Sequence, residues 1–140
     1  VRLFDPKLNA AFFRAFSRLA SPREARGLAS STWYVLSALV VLLFFPTPYA
    51  LAGILTLAWA DPAANVIGQR WGRVKFLAGT VKGSATFLAV AFLALIIFVP
   101  WPQAIAAGVL TTIVEAAPIE LDDNFLVPFS VAISLYLMMG

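Results

Sequence analysis

The chain has 140 residues, of which 61% are hydrophobic and 12% charged, with no Cys, no His and a formal net charge of +3. Mean hydropathy is +0.90. Soluble globular domains carry about 25% charged residues, so composition argues against one. The missing Cys and His exclude zinc sites, haem ligation, disulfides and Cys- or His-based nucleophilic chemistry. The length allows one domain at most.

The first element lies in residues 1–28. Asp5-Pro6 offers an N-cap followed by proline at the first helical position. Leu8, Phe12, Ala15, Phe16 and Leu19 then recur at helical spacing, with Lys7, Arg14 and Arg18 on the other side. That pattern predicts a basic amphipathic helix, which suits a membrane surface, the alternative being an ordinary amphipathic helix packed on protein. Ser21-Pro22-Arg23-Glu24 has capping-box spacing for a second short helix.

Residues 29–140 read as a helical transmembrane domain. No charge occurs in 27–60, 83–114 or 125–140. A spanning helix needs about 20 apolar residues, so each of the first two stretches suits two short helices. Pro46-Thr47-Pro48 and Pro100-Trp101-Pro102 break them near the middle. Five helices follow, at about 30–45, 49–68, 83–99, 103–117 and 125–139. The expected fold class is therefore all-α and polytopic, with an interfacial helix in front. Trp33, Tyr34, Tyr49, Trp101 and Tyr136 fall near span ends, where an aromatic belt belongs.

Orientation follows from the basic residues. Arg2, Lys7, Arg14, Arg18, Arg23 and Arg26 precede the first span. Arg70, Arg73, Lys75 and Lys82 lie between the second and third. The turns at 46–48 and 100–102 carry no charge. Positive charge marks the cytoplasmic side. The N-terminus and the 69–82 and 118–124 loops are thus expected in the cytoplasm. The chain begins at Val1 rather than Met, so an N-terminally truncated piece of a longer protein is expected.

Three constellations could carry chemistry. In the first, Asp61 and Asn65 share a helix face, and Ala60, Ala64, Gly68 and Gly72 repeat every four residues. The repeat is a small-residue seam for close helix approach, within the chain or between copies. It does not explain Asp61, because a carboxylate in a span is costly. The second is Lys82-Gly83-Ser84 opening the third span, where free backbone N–H groups suit a phosphate. The third joins Thr111, Thr112 and Glu115 to Asp122-Asp123-Asn124. Helix capping accounts for one acidic residue before a helix, but not for four carboxylates at one membrane face. Oxygen ligands beside Lys and Arg are what Mg²⁺ on a polyphosphate requires.

The run Asp61 to Lys75 resembles the D-x-x-A-x-x-x-G-x-x-x-G-x-x-K segment of the membrane CTP-dependent lipid kinases. That family comprises dolichol kinase, phytol kinase and CTP-dependent diacylglycerol kinase, and is distantly similar to phosphatidate cytidylyltransferases. Thr112-Ile113-Val114-Glu115-Ala116 and Leu121-Asp122-Asp123-Asn124-Phe125-Leu126-Val127-Pro128 resemble its T-x-x-E-A and L-D-D-N-x-x-V-P pattern. The family's K-[ST]-x-E-G-S element is altered. Thr80, Gly83 and Ser84 match, while Gly79 replaces a Lys and Lys82 replaces the Glu. The family's early basic-and-histidine segment is missing.

The resemblance implies an integral membrane enzyme moving the γ-phosphate of CTP to a lipid alcohol with Mg²⁺ or another divalent cation. Asp61, Asp122 and Asp123 would serve the metal. Asn65, Gly68, Gly72, Arg73, Lys75, Thr80, Lys82, Gly83, Ser84 and Asn124 would hold the nucleotide. Asp61, Glu115 and Lys75 would be catalytic, with Glu115 a further metal ligand or the base for the lipid hydroxyl. The partners would be the lipid and the nucleotide, with no nucleic acid polymer. The alternatives are a cytidylyltransferase forming a CDP-lipid, and a non-catalytic transporter fragment or scaffold.

Overall fold

The computed structural model describes residues 30–140. The amphipathic helix expected in 1–28 and its capping box lie outside the described residues. Five helices follow one another: α1 Ser30–Phe44, α2 Thr47–Trp71, α3 Val81–Leu95, α4 Trp101–Ala116 and α5 Asp123–Met139. Their order and breaks agree with the sequence reading, because proline sets both far-end turns. Pro46 and Pro100 precede α2 and α4, each with a further proline in the first turn. One element departs from an all-α chain. Strands β1 Lys75–Phe76 and β2 Gly79–Thr80 form a small antiparallel hairpin between α2 and α3.

α2, α3, α4 and α5 close a ring in which each helix packs on the next, and α1 lies against α5 and α2. Buried side chains fill the ring along its length. Leu57, Ala60, Phe87, Ala91 and Val127 form one cluster. Ala52, Leu95, Ala104, Ala107, Val131 and Leu135 form another nearer the far turns. The second begins among the aromatic turn residues, with Tyr49 packed against it. Phe45 meets the Tyr136 ring edge-on at 6.0 Å at that same end.

Every charged residue among those described lies toward the opposite end. α2 has 25 residues and α3 only 15, about 37 and 22 Å at helical rise. The last turns of α2 therefore overhang the bundle, and the hairpin folds back beside them. Only Thr47–Trp71, among the described helices, is long and apolar enough by itself to cross a membrane. Ser30–Phe44, Val81–Leu95 and Asp123–Met139 are apolar but shorter.

Two contacts fix the helix spacing. On α2, a Cβ added to Gly53 would lie 2.5 Å from the Pro128 carbonyl oxygen of α5. On α1, the Ser37 hydroxyl donates to the Phe125 carbonyl of α5 at 2.9 Å, which satisfies a fully buried hydroxyl. Replacing Gly53 by Ala should force α2 and α5 apart and cost about 1–3 kcal/mol. Reversible denaturation in detergent micelles checks this; wild-type stability in Gly53→Ala would show that the two backbones are not in close contact.

Candidate functional site

The small-residue seam builds the site. Ala60 and Ala64 are buried against Phe87 and Ala91 of α3. One turn further, an added Cβ on Gly68 would lie 3.1 Å from Thr80 Oγ1 and 3.4 Å from Gly83 Cα. At Gly72, which ends α2, the same addition would collide with the Gly68 carbonyl oxygen and the Thr80 hydroxyl. Thr80 is the N-cap of α3 and its Oγ1 accepts from Gly83 N at 3.1 Å. Small side chains on α2 thus let the capped start of α3 approach closely.

A cleft of about 320 Å³ opens beside this crossing, lined among others by Asn65, Gly68, Gly72, Lys75, Thr80 and Ser84. Gly83 and Glu115 also line it. The structure therefore brings together eight of the residues singled out from sequence, drawn from all three constellations. Ser84 is 7% exposed and Lys75 is exposed, so the cleft runs from solvent to a covered floor. Glu115 enters from the last turn of α4, and its Oε2 is buried without a hydrogen-bond partner. An orphaned carboxylate oxygen is expensive, and this one belongs to a residue that lines the cleft.

Other expected site residues stand outside the cleft lining. Asp61 is one turn before Asn65 on α2, and its Oδ1 accepts from Asn65 Nδ2 at 3.1 Å. It lies within electrostatic range of Asp122, and Glu115 within range of Asp61 and Asp123. Asp122 is the N-cap of α5. Its Oδ1 accepts from Asn124 N at 3.0 Å and from Asn124 Nδ2 at 2.6 Å. The capping reading of Asp122 is what its geometry shows, and Asn124 is engaged with it rather than with the cleft. Arg73 and Lys82 are exposed and do not line the cleft. Thr111 and Thr112 are buried inside the bundle, and Thr112 Oγ1 donates to the Gly108 carbonyl at 2.7 Å.

Among the described residues, no three acidic side chains converge as ligands for a cation. Asp61, Asp122 and Asp123 do not form a closed metal cage on their own. The donor set does suit a cation that keeps phosphate oxygens among its ligands, since Mg²⁺ commonly takes only one or two carboxylates. The unpartnered Glu115 oxygen is the observation that favours it.

Ala64, Gln69 and Gly79 also line the cleft, and sequence reading did not include them in the site. Ala64 was legible as part of the seam. Gln69 has no signal of its own beyond its place between Gly68 and Arg70. Gly79 stands where the related motif has Lys, and its place in the lining follows from the hairpin register.

The chain is 28% identical to CTP-dependent diacylglycerol kinase 1 of Schizosaccharomyces pombe, over 92% of this chain and 71% of that protein. It is 30% identical to the Saccharomyces cerevisiae protein of the same name, over 58% of this chain and 30% of that one. Phytol kinase of Synechocystis is 30% identical over 61% of this chain and 42% of its own length. These relatives are lipid kinases of the family that the motifs resemble. No protein-family model matches the chain, and no solved structure is detectably similar.

The glycines differ in how much room they have, and that separates their effects. Gly72→Ala should dislodge Thr80 and remove the cap of α3, at about 1–3 kcal/mol. Gly79→Ala, whose Cβ would meet nothing nearer than 3.9 Å, should leave stability within about 0.5 kcal/mol of wild type. Melting curves of the two variants check the contrast; equal losses would show that Gly72 is not packed on Thr80.

Proposed function

We propose that this chain is the membrane catalytic domain of a kinase that transfers the γ-phosphate of CTP to a long-chain lipid alcohol such as a polyprenol, phytol or diacylglycerol. The observation that carries the reading is the meeting of Asn65–Lys75, the Thr80–Ser84 turn and Glu115 at one cleft. The relatives named as CTP-dependent diacylglycerol kinase and phytol kinase support the donor and the class of acceptor. The helices cross the bilayer as a polytopic bundle, with the charged end in the cytoplasm.

In this reading the chain's own groups mostly position and neutralise, as phosphoryl transfer requires. The phosphates lie across the Gly68–Gly72 face of α2, beside the start of α3. Lys75 pairs with them as a point charge. The acceptor hydroxyl reaches the floor of the cleft, where Glu115 takes its proton. The alcohol oxygen bonds to the γ-phosphorus, the bond to the β-phosphate oxygen breaks, and CDP leaves. Asn65 holds the Asp61 carboxylate in place. Asp61 and Asp123 would hold a divalent cation brought with the phosphates, which would supply charge neutralisation there.

Product analysis in the full-length protein tests the reaction. CTP labelled in the γ-phosphate should give labelled lipid and CDP; release of pyrophosphate would make the protein a cytidylyltransferase instead. Asp61→Asn should keep expression and melting temperature near wild type while lowering lipid phosphorylation about a hundredfold or more. Full activity in Asp61→Asn would remove Asp61 from the site.

Topology has its own check. A cysteine replacing Thr47 should react with a membrane-impermeant maleimide in intact cells, and one replacing Gly79 should react only after the membrane is opened. The opposite pattern would put the cleft on the outer side.

A further inference from the structure

The hairpin between α2 and α3 is unusual at its tip. Phe76 pairs with Gly79, leaving Leu77 and Ala78 as a two-residue turn. Leu77 has φ +48°, and among the described residues no other non-glycine has positive φ. Two-residue hairpin turns favour Gly, Asn or Asp at such positions, since a Cβ there costs about 1–2 kcal/mol. Leu77 is also 59% exposed. A bulky apolar side chain is thus held in the backbone conformation it tolerates least, and points away from any core.

The surroundings share this character. Trp71, Val74, Phe76 and Val81 are exposed on the same segment. Ala78 N donates to the Ala116 carbonyl at 2.9 Å, which ties the tip to the end of α4. Ile119 and Leu121, just beyond that end, are exposed as well. The apolar rim is flanked by exposed Arg70, Arg73, Lys75 and Lys82, and the Arg70 guanidinium sits 5.2 Å from the Trp71 ring centroid. Side chains alternate along a strand. Lys75 lines the cleft, so Phe76 is directed to the other face.

From this arrangement we infer that the hairpin tip, with Ile119 and Leu121, is an interfacial membrane anchor that seats the mouth of the cleft in the anionic headgroup layer. An apolar tip with an aromatic beside it, and four exposed Lys and Arg against the one exposed carboxylate Glu120 between Ile119 and Leu121, matches a lipid–water interface in polarity and in charge. Leu77 and Phe76 enter the headgroup–acyl boundary by about 5–10 Å, while the basic residues stay level with the phosphates. Burial in lipid offsets the exposure and the backbone strain at Leu77. The cleft, on the other face of the hairpin, is thereby held at the depth of a lipid hydroxyl. The inference rests on the bilayer-spanning reading above.

The chain has no Cys, so single-site labelling is direct. In nanodiscs, the full-length protein labelled with an environment-sensitive fluorophore at Leu77→Cys should emit at blue-shifted wavelength. A lipid nitroxide near the top of the acyl chain should quench it, and the blue shift should be weaker in purely zwitterionic lipid. A second label at Leu39→Cys, on the exposed face of α1, reports the spanning helices. Quenching at both positions supports the anchor. Quenching at Leu39→Cys alone overturns it and leaves the spanning reading intact. Quenching at neither overturns both, and water-like emission at Leu77→Cys with capture by another protein would make the tip a protein-docking surface. Leu77→Asn, better suited to the turn, should melt at or above wild-type temperature yet raise the lipid KM several-fold with the CTP KM unchanged; an unchanged lipid KM would leave the tip with a structural role only.

Discussion

The close approach of α2 and α3 is the constraint on which the rest of the molecule depends. It exists because Ala60, Ala64, Gly68 and Gly72 present almost no side chain to Phe87, Ala91, Gly83 and Thr80. In a bilayer, apolar side chains gain little by leaving lipid for a neighbouring helix, so van der Waals contact between close backbones carries the association. The same closeness brings the first turn of α3 alongside the overhanging end of α2. A polar cleft results where two apolar helices would otherwise meet through bulky side chains.

That cleft carries an electrostatic cost. Glu115 lies near Asp61 and Asp123, and one of its oxygens is buried without a donor. The chain offsets part of this cost locally. Asn65 donates to Asp61, and Asp122 is absorbed into the cap of α5. The remainder is the kind of unmet demand that a bound cation and polyphosphate would satisfy. Thr56 shows the contrast: its hydroxyl is also buried without a partner, but it does not line the cleft, and nothing in the structure gives it a task.

Much of this was legible in the sequence where strong local rules apply. Proline pairs fixed the far-end turns, because a missing N–H and a restricted preceding residue end helices whatever surrounds them. The four-residue repeat on α2 was readable for a similar reason, while Thr80 entered only through the motif resemblance and its capping role came from the structure. The hairpin was not. Two-residue strands carry no periodicity, and Lys75-Phe76-Leu77-Ala78-Gly79 lacks the usual turn residues at its tip. A cap and a ligand have the same chemistry at sequence level, so the capping role of Asp122 emerged only from its 3.0 Å contact with Asn124 N. The Gly53–Pro128 crossing was invisible, since it pairs residues from distant helices without a repeat. Gln69 had no pattern to betray it.

The filled ring has a consequence for traffic across the membrane. From Leu57 and Phe87 to Leu95 and Leu135, buried apolar side chains occupy the interior, and the turns at the far end hold no charge. A nucleotide has no route through such a bundle. On the proposed reading, everything water-soluble would arrive and depart at the charged end, and a lipid acquiring a phosphate there would acquire it in one leaflet only. Two negative charges on its headgroup then oppose spontaneous flip-flop. The product pool would be asymmetric from the moment of synthesis, and its appearance in the other leaflet would need a separate lipid transporter.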